Sequence, residues 1–152
     1  MTPGVRIRRF VPADLDAVLE LERATFGPAA YRREMFLEVA RPPSGLLLVG
    51  ERGGRIAGYV AAFKSGAGAE LVSLAVGRRH RRSGIGAALL RQALQALARR
   101  GVRKVELMVR ADNRPAIRFY QRLGFCRAGW VPGYYEDGCD GLRMRRTLPW
   151  TA

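Results

Sequence analysis

The chain is poor in the residues from which metal and disulfide sites are built. Its two cysteines, Cys126 and Cys139, match no zinc or redox spacing, so we expect free thiols. Its one histidine, His80, excludes a multi-histidine metal site, and we predict no bound metal. A Ser-His-Asp hydrolase would have to use His80, although the flanking arginines oppose its protonation. A catalytic base at His80 therefore stays open but is not favoured.

Long apolar segments are also missing. No run of residues approaches the roughly 20 apolar residues that a membrane helix needs. The N-terminal arginines are followed by no uninterrupted apolar stretch, which argues against a cleaved signal peptide. We therefore expect a cytoplasmic protein with no membrane partner.

Negative charge is scarce, since 27 lysines and arginines face 13 acidic residues, giving a net charge of +14. Nearly all the cations are arginines, spread from Arg6 to Arg146 rather than gathered in a tail. This pattern is typical of a solvated arginine-rich surface, and it also suits phosphate ligands or a ribosomal surface. Because no groove-reading helix or RNA-stacking motif is present, direct nucleic-acid binding is not expected. A non-catalytic basic ribosome- or nucleic-acid-binding module nevertheless remains an alternative.

The rest of the composition fits one globular domain over residues 1–152, since 48% of the residues are hydrophobic. Apolar spacing and turn residues predict strands over 5–10, 46–50, 56–63, 71–76, 105–109, 125–131 and 142–148. Helices are predicted from about residue 14 and over 31–39, 85–100 and 113–123. This order indicates a mixed α/β fold, a mixed sheet covered by helices.

The strongest chemical signal is the loop from Arg81 to Gly86, between a strand and a helix. Gly84 and Gly86 let backbone N–H groups approach an anion, and the start of the helix adds positive potential. Arg81 and Arg82 can add charge-assisted bonds, so the loop suits a pyrophosphate. The Gly-Lys-Ser/Thr ending of a P-loop is absent, as are the third glycine and the acidic residue of a dinucleotide fingerprint.

In these residues the chain resembles the GNAT superfamily of N-acetyltransferases. The family's signature Gln/Arg-x-x-Gly-x-Gly/Ala matches 81–86, and its Asn-x-x-Ala-x-x-x-Tyr-x-x-x-Gly-Phe segment matches 113–125. The resemblance implies a twisted mixed sheet that opens in the middle, helices on both faces, and acetyl-CoA lying in the opening. The acetyl-CoA-binding residues it implies are Leu74, Val76, Arg81, Arg82, Ser83, Gly84, Ile85, Gly86, Asn113 and Tyr120.

Two further segments are similar to the substrate loops of RimI-type and other protein N-terminal acetyltransferases. They run from Phe26 to Phe36 and from Pro132 to Met144. The resemblance implies substrate-binding roles for Phe26, Tyr31, Tyr134 and Tyr135. The tyrosine pair at 134–135 could instead be an aromatic turn that packs on the core.

The general base has two candidates. Acetyl transfer needs a neutral amine, and an N-terminal α-amine, with a pKa near 8, is about a tenth neutral at pH 7. Glutamate at the position of Glu70 is the base in some GNAT enzymes, although Glu70 could equally be an edge carboxylate paired with an arginine. RimI-type enzymes tend to carry glutamate or histidine where this chain has Met108, which cannot accept a proton. Glu106 lies on the same strand face about 6–7 Å away and is the second candidate.

The remaining roles also follow from the resemblance. Tyr120 matches the tyrosine that protonates the departing thiolate, although it also shares an apolar helical stripe with Ile117 and Leu123. Asn113 would bond the cofactor or serve only as a helix N-cap. The Val76 N–H would contact the thioester carbonyl, and Leu74 and Val76 would line the pantetheine arm.

Together these features predict acetyl-CoA-dependent transfer to a primary amine. The favoured acceptor is the N-terminal α-amine of a protein or peptide, possibly ribosomal. A small-molecule amine or a lysine side chain is the alternative, which the methionine at 108 motivates.

Overall fold

The computed structural model describes residues 4–148 and contains all seven strands predicted from the sequence. The strands are β1 (Val5–Arg9), β2 (Gly45–Arg52), β3 (Arg55–Ser65), β4 (Gly68–Val76), β5 (Lys104–Arg110), β6 (Cys126–Val131) and β7 (Gly141–Thr147). The α-helices of this part of the chain are α1 (Leu15–Phe26), α2 (Arg33–Val39), α3 (Ile85–Arg99) and α4 (Arg114–Arg122). None of the helices in the described range has the length and apolar character needed to cross a membrane.

The strands form one sheet in the order β1-β2-β3-β4-β5-β7-β6. The β4–β5 pair is parallel and every other neighbouring pair is antiparallel, so the sheet is mixed, as predicted. The chain passes from β4 to β5 through α3, the helical crossover that a parallel pair requires.

Helices cover both faces of the sheet, which confirms the layered arrangement. On one face α3 and α4 pack on the sheet. The inward stripe of α3 is at most 5% exposed and consists of Leu90, Ala93, Leu94 and Leu97. Gly101 follows this helix at a φ of 90°, the left-handed geometry expected of a glycine after a helix C-terminus. On the opposite face α1 and α2 bury a second cluster around Phe36 and Tyr59.

The helix α2 begins two residues later than the predicted Tyr31. Arg32 is its N-cap and is extended, with φ of −91° and ψ of 169°. The reason lies in the tertiary structure, because the Tyr31 N–H donates at 3.0 Å to the carboxylate of Glu22 on α1. That bond holds the connection between α1 and α2 open.

Candidate active site

The sheet opens between β4 and β5. Their pairing covers three residue pairs and stops where Glu70 lies beside Glu106. Beyond this point β4 continues to Val76 along β3, while β5 continues along β7. Among residues 4–148 no strand pairs with the second half of β4 on its β5 side, so the opening implied by the family resemblance is present.

The peptide groups of Leu74 and Val76 point into this opening. The Gly77 N–H donates to the Ala57 carbonyl at 2.7 Å, so the backbone groups of Gly77 and Ala57 point towards each other as a hydrogen-bonded pair of the β3–β4 ladder. Because hydrogen-bonded and non-hydrogen-bonded pairs alternate along an antiparallel ladder, Leu74 and Val76 direct their N–H and C=O groups to the other side. The Arg81 Nε donates to the Val76 carbonyl at 3.1 Å. The Val76 N–H thus lies where a donor to a thioester carbonyl was predicted.

The predicted phosphate loop ends at the start of α3. Gly84 has φ of 86° and Arg82 has φ of 62°, left-handed conformations that turn the loop sharply. The first intrahelical bond runs from the Ala88 N–H to the Gly84 carbonyl at 3.0 Å. The N–H groups at 85–87 therefore lack intrahelical acceptors and form an anion-binding helix start.

The side chains of the phosphate loop have two different arrangements. Arg81 and Arg82 are exposed and can reach a bound anion. Ser83 instead directs its hydroxyl to the His80 carbonyl and so braces the loop. A Cβ on Gly86 would lie 3.5 Å from both Phe119 and Val76, which shows that α3, α4 and the end of β4 converge here.

Tyr120 packs in the core, as one of its two sequence-based interpretations expected, while its role as a proton donor stays a prediction. Its ring packs edge-on against Phe119 and Phe125, at centroid distances of 5.2 and 5.7 Å. Burial raises the pKa of Tyr120, and neighbouring Tyr135 raises it further. Because its pKa is raised, the hydroxyl keeps its proton at neutral pH. It forms no hydrogen bond with the described part of the chain. The Tyr120 side chain is thus both a core aromatic and a protonated, uncommitted hydroxyl.

Asn113 caps α4, since its side-chain oxygen accepts the Ala116 N–H at 3.2 Å. The N-cap role is confirmed. Its side-chain NH₂ carries no bond within residues 4–148, so a bond from Asn113 to the cofactor stays a prediction.

Glu70 is exposed, and because its neighbours Ala69 and Leu71 belong to the cluster under α3, its side chain points to the opposite face, which α1 and α2 cover. Partial burial is the main cause that raises the pKa of Tyr31, and the charges of Glu70, Tyr134 and Glu22 raise it further. Within residues 4–148 no ion pair engages Glu70, so the arginine pairing considered from the sequence is not found there. The Glu70 carboxylate therefore has no ion-pair partner in the described part of the chain.

Glu106 differs from Glu70 because its carboxylate forms an ion pair with Arg145 on β7. The Arg145 Nη2 and Nε lie 2.7 and 2.9 Å from the same carboxylate oxygen. This hydrogen bonding lowers the pKa of Glu106, with the charges of Lys104 and Arg143 adding to the effect. A carboxylate held in this way is a weak base, so the geometry favours Glu70 over Glu106.

Met108 and Tyr134 both lie beside Gly141, the first residue of β7. A Cβ on Gly141 would lie 2.9 Å from both the Met108 Sδ and the Tyr134 Cβ. Asp140 braces this loop by accepting the Trp130 Nε1–H and the Gly133 N–H, each at 2.9 Å. The thioether thus packs where RimI-type enzymes tend to carry an ionisable side chain.

The two loop tyrosines form an aromatic pair beside the opening. Tyr134 is 52% exposed and meets Tyr135 edge-on at a centroid distance of 5.0 Å. The Arg110 guanidinium lies 5.2 Å from the Tyr135 ring centroid. Burial is the main cause that raises the pKa of Tyr135 to about 12. An exposed ring on a braced loop suits contact with a peptide, and Phe26, 38% exposed at the end of α1, lies on the other predicted substrate loop.

The sequence analysis missed Glu22. This glutamate is 1% exposed and accepts the hydroxyls of Tyr59 and Ser73, the latter at 2.6 Å, as well as the Tyr31 N–H. The signal was present, because position 22 falls three and seven residues after Leu19 and Leu15 on the apolar stripe of α1. Glu22 thereby ties the predicted substrate loop to the sheet.

Comparison with known proteins places this geometry in a family. Residues 15–125 match the model of the Acetyltransferase (GNAT) family. The chain is 35% identical to an uncharacterized N-acetyltransferase of Methanocaldococcus jannaschii, over 94% of this chain and 92% of that protein. It is 33% identical to the N-alpha-acetyltransferase RimI of Mycobacterium tuberculosis, over 95% and 94% of the two chains.

A solved structure agrees in both fold and sequence. The crystal structure of Ard1 from Thermoplasma volcanium superposes with a TM-score of 0.89 at 31% identity, covering 97% of this chain and 99% of that one. The open sheet, the helix start behind Arg81 and Arg82, and the uncommitted Tyr120 hydroxyl fit acetyl-CoA. The chain therefore belongs to the GNAT family of acetyltransferases, with acetyl-CoA as its acetyl donor.

Proposed function

We propose that the protein acetylates the N-terminal α-amine of a protein or peptide by direct transfer. The observation that carries the proposal is the exposed Glu70 carboxylate at the end of the β4–β5 pairing, which no ion pair within residues 4–148 engages and whose charge acts on Tyr31. The names of similar proteins, an N-alpha-acetyltransferase among them, support it. A ribosomal acceptor and a cytoplasmic location stay predictions.

In this mechanism each residue has one task. Bound acetyl-CoA supplies an activated acetyl thioester. The N–H groups at 85–87 with Arg81 and Arg82 hold the pyrophosphate, and Leu74 and Val76 line the pantetheine arm. The backbone N–H and C=O groups of Leu74 and Val76 bind the pantetheine arm along the open edge of β4.

The proton transfers belong to two side chains. Glu70 takes the proton of the amine, directly or through water, since most of an α-amine is protonated at pH 7. The Val76 N–H donates to the thioester carbonyl oxygen, and the Tyr120 hydroxyl gives its proton to the departing sulfur. Tyr31, Tyr134 and Phe26 hold the peptide.

The test is release of CoA from acetyl-CoA with a panel of short peptides that differ in the first residue, each with a free and a blocked N-terminus. We expect turnover on small first residues, abolished by blocking. Glu70→Gln is expected to lower kcat by roughly 10²–10⁴. The matched variant Glu106→Gln, on the neighbouring strand, is expected to keep most of the activity because Glu106 is bonded to Arg145.

A small-molecule amine or a lysine side chain is the second candidate. Met108 favours it, because a thioether that cannot accept a proton stands where RimI-type enzymes tend to have an ionisable residue. Faster turnover of free amines or of blocked lysine peptides than of any free N-terminus would select this function. Steeply salt-dependent ribosome or nucleic-acid binding without turnover would instead support the basic binding module.

A further inference from the structure

Four arginines border the proposed peptide site, and we call them the arginine rim: Arg23, Arg32, Arg33 and Arg143. The first three line an open cavity of about 500 Å³, together with Tyr31 and one acidic residue, Glu34. Arg143 on β7 lies directly opposite Met108 and so on the same face of the sheet. Its charge adds to the effects that lower the pKa of Glu106, which lies two residues from Met108 on the same strand.

The carboxylates of residues 4–148 do not fully balance the charge of the arginine rim. Among residues 4–148 no ion pair engages any of its four members, three of which are exposed. The carboxylates of this region that already accept bonds are Glu22, Glu106, Asp112, Asp137 and Asp140. Glu34, Glu70 and Glu136 remain, and Glu70 is the proposed base. The site therefore keeps an excess of positive charge beside a cavity open to solvent.

From this arrangement we propose that the arginine rim selects peptides with acidic side chains just after the acetylated residue. The inference rests on the proposed function and specifies its substrate class. An extended peptide advances about 3.3 Å per residue, so residues 2 to 4 would lie within reach of arginine side chains around the cavity. Arginine pairs with carboxylates in a bidentate geometry, and the overall charge of +14 attracts acidic segments while it repels basic ones.

The experiment compares three peptides that share an N-terminal alanine and differ at positions 2 to 4, which carry glutamate, glutamine or arginine. We expect kcat/KM to fall in that order, with about tenfold or more between the first and the last, mainly through KM. The ranking should shrink at 0.5 M NaCl, since salt of about that strength screens exposed charges beyond a few ångström.

Two double variants separate the arginine rim from the general charge of the protein. Arg32→Gln with Arg33→Gln should flatten the ranking. Arg91→Gln with Arg99→Gln removes the same charge from exposed positions on α3, on the opposite face of the sheet, and should leave the ranking intact.

The outcomes separate this inference from the function on which it rests. Selection by the arginine rim would be overturned, and the proposed function left standing, by any of three results. These are equal turnover of the three peptides, preference for the arginine peptide, or an equal loss of ranking in both double variants. Turnover of amines but of no peptide would overturn the proposed function and this inference with it.

Discussion

The buried carboxylate of Glu22 gives the sharpest test of how the substrate loop is held. Glu22 lies at 1% exposure and accepts three hydrogen bonds, from Tyr59, Ser73 and the Tyr31 N–H. Glutamine at this position keeps the shape but turns one acceptor oxygen into a donor. At least one of the three donors then loses its acceptor in the interior.

The magnitude follows from these contacts. A buried donor left without an acceptor costs about 1–3 kcal/mol, so Glu22→Gln is expected to lower the free energy of unfolding by about that amount. Glu22→Ala removes every acceptor and leaves a cavity, and is expected to cost about 3–5 kcal/mol. Urea unfolding measures both, with Glu20→Gln, an exposed glutamate on the same helix, as the matched control.

The kinetic consequence separates loop positioning from general stability. Because Glu22 holds the Tyr31 backbone, Glu22→Gln should raise KM for the peptide about tenfold, a loss of about 1.4 kcal/mol in binding, and leave KM for acetyl-CoA unchanged. Unfolding of Glu22→Gln within about 0.5 kcal/mol of Glu20→Gln would refute the energetic argument. An equal rise in both KM values would refute the positioning argument.

Three further predictions concern other parts of the molecule. Arg8 lowers the pKa of Asp14 by hydrogen bonding, so the stability that wild type has over Asp14→Asn in urea unfolding should be full at neutral pH. This difference in the free energy of unfolding should shrink as the pH falls below about 3.9. A difference that grows in acid would contradict the lowered pKa of Asp14. Gly84→Ala and Gly53→Ala both force a left-handed alanine and should each cost about 1–2 kcal/mol, but calorimetry should show weaker acetyl-CoA binding only for Gly84→Ala. Because the pKa of Tyr120 is raised, the pH profile of kcat/KM should rise to about pH 8 with the α-amine and show no fall from Tyr120 before about pH 10. Tyr120→Phe should lower kcat without changing acetyl-CoA affinity, and an unchanged kcat would exclude the hydroxyl from proton transfer.

Much of the fold was predictable because its signals are local. The inward stripe of α3 recurs with the helical period, and Gly53 and Gly54, at positive φ, mark the turn between β2 and β3. The start of α2 was misplaced because Glu22, nine residues earlier in the chain, determines it. The local pattern around Tyr31 carries no trace of that bond.

In the candidate site, too, some features were predictable from neighbouring residues and others were not. The phosphate loop was readable because its glycines, arginines and helix start are contiguous in sequence. The choice between Glu70 and Glu106 was not, because it depends on which of many arginines faces which carboxylate. Arg145 engages Glu106 only because β7 lies antiparallel to β5 in the register that brings them side by side.

By itself the sequence determined the order of strands and helices, the anion-binding loop and the family, since each is written in neighbouring residues. Only the tertiary structure decided that Glu22 is buried beneath the substrate loop and that, within residues 4–148, Glu106 has an ion-pair partner while Glu70 has none. These features join residues far apart in the chain, such as Glu22 with Tyr59 and Ser73, 37 and 51 positions away. Strand register and helix docking set such contacts, and in a chain with 27 cations the composition alone does not distinguish one arginine from another.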